Sequence, residues 1–104
     1  MKIIADICVI PLYRDQNAQN ASVREEVAIA HKILLDTGCN CVLHAYGTNV
    51  EGDYDIIMNA LKKIHLTLHE RGIVRIHTNL KIGSRTDKDQ SLSDKTDAVL
   101  QNLP

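Results

Sequence analysis

The chain has no Trp and no Phe, and its three aromatic residues are all Tyr. A core without large rings has to be assembled from Ile, Leu, Val and Ala. Excess charge of one sign is also missing, with 12 Lys and Arg against 13 Asp and Glu. That balance removes the sequence-independent pull toward a phosphate backbone, so no nucleic-acid partner is expected. No apolar run approaches the roughly 18 residues of a membrane helix. Asp6 interrupts the N-terminal stretch where a signal peptide needs unbroken apolar residues. The expectation is a cytoplasmic protein with no membrane partner. Cysteine is scarce and odd in number: Cys8, Cys39 and Cys41 make a poor disulfide framework. Cys39 and Cys41 are one residue apart, closer than zinc ligands usually stand, and alternation sends His44 to the opposite face. Buried structural thiols are therefore expected, with no metal and no cofactor.

What is present is an ordinary globular mixture, 44% hydrophobic and 24% charged over 104 residues, which fits one domain spanning 1–104. Lys2 to Leu12 reads as a strand with two apolar faces, Ile3, Ala5, Ile7 and Val9 on one and Ile4, Cys8 and Ile10 on the other. Such a strand is buried on both sides. Tyr13 to Ala21 is a polar loop. Ser22 and Glu25 form a capping-box pattern before a helix whose stripe is Val23, Val27, Ala30 and Leu34, and Gly38 closes it. Asn40 to Tyr46 and Thr48 to Glu51 read as a hairpin turning near Tyr46-Gly47. Asp53 caps a second helix with the stripe Ile57, Leu61, Ile64 and Leu68, stopped by Gly72. Ile73 to Gly83 is a long fourth strand, and Ser91 or Ser93 caps a short terminal helix.

This order, βαββαβ with one appended helix, is the ferredoxin-like α+β sandwich. Two helices cover one face of a four-stranded antiparallel sheet, with strands one and three central. On the fourth strand Val74, Ile76, Leu80 and Ile82 are expected under the helices, and Arg75, His77, Asn79 and Lys81 on the open side. That side also receives Ile4, Asp6, Cys8 and Ile10 from the first strand. An apolar set left open in this way marks an interface, and an over-long edge strand invites pairing, so a symmetric homo-oligomer is expected. Asp6 and Arg75 fit either a ligand site or a structural ion pair. His44 and His77 fit either ligand contacts or interface histidines. Glu51 fits either a ligand carboxylate or a solvated one beside the second helix.

Three segments read together are more specific: Ile4-Ala5-Asp6-Ile7-Cys8-Val9-Ile10-Pro11, His44-Ala45-Tyr46-Gly47-Thr48-Asn49-Val50-Glu51-Gly52, and Arg75 through Lys88 with its Arg85-Thr86-Asp87-Lys88 end. In order and spacing they resemble the family of small thiamine-binding proteins, over nearly the whole chain. The sequence departs from the family pattern after Pro11, where Leu12 and Tyr13 stand instead of an early Gly. The resemblance implies a ferredoxin-like subunit in a homotetramer, a dimer of dimers. It further implies thiamine, or its hydroxymethylpyrimidine portion, bound at a subunit interface without catalysis. Carried over by position, the implied residues are Asp6, Gly47, Thr48, Glu51, Arg75, His77, Thr78, Arg85 and Asp87.

The chemistry of that ligand is compatible with these residue types. An aminopyrimidine offers an amino donor and ring-nitrogen acceptors, so Glu51 or Asp6 would accept from it, and Thr48 or His77 would meet a ring nitrogen. A thiazolium cation favours flat neighbours such as Tyr46 or Tyr54. Arg85 and Lys88 beside Asp87 would hold an anion, or form an inter-subunit ion-pair cluster. Competing uses of the fold are an oligomeric sensor of another metabolite and a small hydrolase or transferase with His77 as base and Asp6 as its partner. No nucleophile stands at a helix start and no Gly-rich phosphate loop follows a strand. An RNA-binding sheet would need rings on its central strands, and the first strand has none.

Overall fold

Alternation along the first strand decides the layering. In the computed structural model, which describes residues 1–13 and 23–104, β1 (Lys2–Tyr13) is followed by α1 (Arg24–Asp36), β2 (Asn40–His44), β3 (Gly47–Asp53), α2 (Tyr54–Glu70), β4 (Arg75–Gly83) and α3 (Leu92–Gln101). The sheet order is β2-β3-β1-β4 and every pairing is antiparallel. This is the ferredoxin-like arrangement with β1 and β3 central. Ile3, Ala5, Ile7 and Val9 are buried against the helices, together with Val50 of β3. From α1 the core takes Ala30, Ile33 and Leu34, and from α2 it takes Ile57, Ala60, Ile64 and Leu68. Leu61, expected in the α2 stripe, is only half-buried, and the smaller Ala60 takes the inner position.

The ends of α2 are set locally. Asp53 accepts from the backbone N–H groups of Asp55 and Ile56 and also pairs with the N-terminal ammonium at 3.1 Å. Those bonds hold its carboxyl below the usual carboxylate range, the ammonium contributing most. At the other end His69 Nδ1 lies 2.7 Å from the Ile73 carbonyl, and Gly72 turns the chain at φ 96°. Ser22 and most of the polar loop lie outside the described residues; α1 begins after Val23 with no side-chain cap.

Several expected boundaries move. Gly47, expected to break the hairpin, is the first residue of β3, and the turn is Ala45-Tyr46. A Cβ on Gly47 would lie 2.2 Å from the Ile7 carbonyl oxygen and 3.2 Å from Cys8 Cα. The missing side chain therefore lets β3 approach β1, and the room it saves is filled by backbone. β4 has nine residues, not eleven. Val74, expected beneath the helices, precedes the strand and is 74% exposed, because its neighbour Ile73 takes the buried position in the core. Ile76 and Leu80 pack partly against the core. Ser91, not Ser93, caps α3, in a reciprocal capping box with Asp94.

Candidate functional site

The face away from α1 and α2 is built in rows by the strand registers. Asn40, Glu51, Ile4 and Gly83 form one row, and Val42, Asn49, Asp6 and Lys81 the next. The N-terminal turn of α3 lies over these rows, so the side expected to be open is partly roofed. Between sheet and helix is a groove of about 600 Å³ whose lining includes Asp6, Val42, Asn49, Lys81, Leu92 and Lys95. A second cavity of about 400 Å³ adjoins it under the segment from Gly83 to Gln90.

Asp6 is held by donors from two strands. Asn49 Nδ2 donates to Asp6 Oδ1 at 3.0 Å, and His44 Nε2 lies 2.6 Å from the same oxygen. The His44 proton can be placed. Its Nδ1 accepts from the Tyr46 backbone N–H at 3.2 Å, so the proton resides on Nε2 and is donated to Asp6. His44 stands opposite Gly47 in the ladder, and its imidazole reaches across β3 to Asp6 on β1. Asp6 Oδ2 has no partner among the described residues.

Glu51 plays a different part. Its Oε1 accepts from Asn40 Nδ2 at 2.5 Å, and its Oε2 accepts from the backbone N–H of Leu92, the first residue of α3, at 3.2 Å. Lys2 Nζ stands 3.6 Å from Oε2, and the Glu51 side chain is only 11% exposed. A carboxylate at a helix N-terminus is stabilised by the unsatisfied N–H groups and the helix dipole. Glu51 is thus the post to which α3 is tied. Reading it from sequence as a solvated carboxylate misses this, since α3 is 41 residues away in the chain.

The other candidate residues are dispersed. Thr48 is buried on the helix side of the sheet, hydrogen-bonded to His31 Nδ1 at 2.9 Å. Thr78 is also on the helix side, 2.7 Å from His65 Nε2. The side chain of Tyr46 is 84% exposed at the hairpin turn, and it serves Asp6 only through its backbone. Arg75 and His77 are exposed and share the face of Asp6, but the register sets Asp6 against Lys81, His77 against Ile10 and Arg75 against Tyr13. Four residues along a strand separate His77 from the level of Asp6, roughly 13 Å, and six separate Arg75, roughly 20 Å. The Asp6–Arg75 ion pair, one of the two readings open for these residues, and the Asp6–His77 acid–base pair of the competing enzyme reading are therefore not formed within the chain. Arg85 donates through Nε and Nη2 to both oxygens of Asp87, and through Nη1 to Gln90. That fork holds the Asp87 carboxyl down to about 2. It also shows that Asp87 orients Arg85 within one chain, while Lys88 lines the adjoining cavity.

Residues not anticipated as site members are Asn49, Lys81 and Lys95. The parity of β4 already assigns Lys81 to the correct face; only the register shows that it is level with Asp6.

A ferredoxin-like sheet whose second face carries a partly roofed, mainly apolar groove with Asp6, Lys81 and Lys95 in its lining offers room for a small molecule. The profile of thiamine-binding proteins matches residues 5–100, and the chain belongs to that family. It is 38% identical over 99 residues to a UPF0045 protein of Synechocystis, an alignment covering 95% of this chain and 78% of the relative. The crystal structure of protein MJ1052 from Methanocaldococcus jannaschii superposes with a TM-score of 0.83 at 31% identity, covering 96% of this chain and 97% of that one. A proposed thiamine biosynthesis/salvage protein from Thermotoga maritima shares the fold, with a TM-score of 0.76 at 20% identity over 95% and 99% of the two chains. No helix among the described residues is long and apolar enough to cross a membrane.

Proposed function

We propose that the chain binds thiamine, or its hydroxymethylpyrimidine portion, and releases it unchanged. The observation that carries this reading is Asp6: one oxygen is fixed by His44 and Asn49, and the other has no partner among the described residues, at a groove large enough for two small rings. A carboxylate held in this way accepts from the exocyclic amine of an aminopyrimidine without having to be reorganised first. Family membership and the description of the Thermotoga neighbour point to the same ligand class.

A non-catalytic role fits the same geometry. Both nitrogens of His44 are engaged, so it has no lone pair to offer as a base. In this reading the protein is cytoplasmic and works as a homotetramer. The unpaired edge of β4 and the exposed Val74, Ile82, Val99, Leu100 and Leu103 are surfaces that sister chains would cover, completing the ligand pocket at the interface.

Isothermal calorimetry on D6N tests the assignment. The amide retains the shape of the side chain but turns an acceptor that faces the amine into a donor. Loss of a charge-assisted hydrogen bond costs about 1.5–3 kcal/mol, so thiamine affinity should fall about 10- to 150-fold. Unchanged affinity in D6N would remove Asp6 from the site.

A further inference from the structure

Lys81 is the residue directly across from Asp6 on β4, on the same face, and cross-strand neighbours of opposite charge ordinarily pair. Here they do not. Asp6 is drawn the other way, toward β3 and β2, by Asn49 and His44, and Lys81 forms no ion pair among the described residues. Lys95 on α3 lines the same groove and is likewise without an ion pair among the described residues. The acids nearby are committed elsewhere: Glu51 to Asn40 and the start of α3, Asp89 to Lys2, Asp87 to Arg85. The groove therefore has two chemically distinct regions, a hydrogen-bond acceptor at Asp6 and two uncommitted ammonium groups on the β4 and α3 sides.

Resting on the binding function proposed above, we propose that the groove selects the phosphate monoester of its aminopyrimidine ligand, with the amine at Asp6 and the phosphate between Lys81 and Lys95. Two ammonium groups act on a phosphate dianion as point charges, need no fixed orientation, and gain nothing from a neutral hydroxyl in its place. Arg85 is not required, because its guanidinium is already engaged by Asp87 and Gln90.

Calorimetry with thiamine and with thiamine monophosphate, on the full chain and on K81M/K95M, tests this. Both lysines are exposed, so the double variant should fold. Exposed charge pairs are individually weak, and two of them together should make the monophosphate about tenfold tighter than thiamine at low salt. In K81M/K95M the preference should vanish and the two ligands should bind alike. Equal affinities for the two ligands in the unmodified chain would overturn the phosphate selection and leave the binding function standing. Failure of both ligands to bind the unmodified chain would overturn the two together. A tenfold preference that survives in K81M/K95M would overturn the assignment to these lysines.

Discussion

Replacing Glu51 with Ala should loosen α3 and leave the rest of the fold in place. α3 has ten residues and none of them is buried. A helix of that length is marginal in isolation, so its position depends on what holds its first turn. The holding groups are the Ser91–Asp94 capping box, the half-buried Leu92, and the Glu51 carboxylate on the Leu92 N–H. The carboxylate is shielded and charged, and a hydrogen bond of that kind contributes about 1.5–3 kcal/mol. Its loss should raise the opening equilibrium of α3 about 10- to 150-fold. Hydrogen-exchange mass spectrometry reads this directly: a peptide covering Leu92–Gln101 should take up deuterium faster by that factor, while one covering Ile57–Leu68 in the core of α2 is unchanged. E51Q, which keeps an acceptor but loses the charge, should fall between. Identical α3 uptake in E51A and the unmodified chain would refute the tether, and with it the account of why the groove has a roof.

Two further outcomes follow from the packing. In G47A the added carbon meets the Ile7 carbonyl at 2.2 Å, so β3 must retreat by about 1 Å from β1. That strain should cost about 1–3 kcal/mol or more and lower the thermal midpoint by several degrees; an unaltered midpoint would show that the strands separate freely. His65 is held below its ordinary 6.5 by burial first and by the neighbouring His69 second. The unfolded chain then binds more protons than the native one just under pH 6.5, so stability should decline as the pH drops from 6.5 through the depressed native value. Urea unfolding at pH 7.5 and 5.5 should show a smaller decline in H65Q, and identical declines would exclude His65 as a source.

Much of this architecture is legible from residue type alone, and the part that is not has a physical reason. The apolar pattern of β1 identifies a central strand, but only the face of Ile3, Ala5, Ile7 and Val9 is buried as expected; Ile4, Cys8 and Ile10 on the other face are half-buried, because only part of that face is roofed. Asp53 announces α2 because a short carboxylate satisfies two orphan N–H groups there. Parity likewise contains the placement of Thr78, which alternates with Ile76 and Leu80, and of Thr48, which alternates with Val50, on the helix side. Period-2 alternation states which face a side chain takes and says nothing of its level along the strand. Asp6, Arg75 and His77 share a face, so alternation groups them, and only the β1–β4 register separates them by several residues. The α3 contact with Glu51 depends on where a connection of eight residues carries the chain after Gly83, and no local preference encodes that.

The same separation explains why the groove is chemically uneven. Gly47 has no side chain, which lets β3 lie close against β1; the Tyr46 N–H fixes the His44 tautomer that donates to Asp6; and Asp6, held from that side, leaves Lys81 without an ion pair among the described residues. A larger residue at position 47 would push β3, and with it the Asn49 and His44 donors, away from β1 and release Asp6 to its cross-strand lysine, joining the two charges that the groove now holds apart. The roof enters the same balance. A ligand reaching from Asp6 on β1 to Lys95 on α3 would tie the helix to the sheet alongside Glu51. By linkage, whatever docked α3 contributes to binding must return as added protection of α3 when the ligand is present. Glu51, offered by the sequence as a ligand-binding carboxylate, would then govern affinity without touching the ligand, by setting how often the roof is in place.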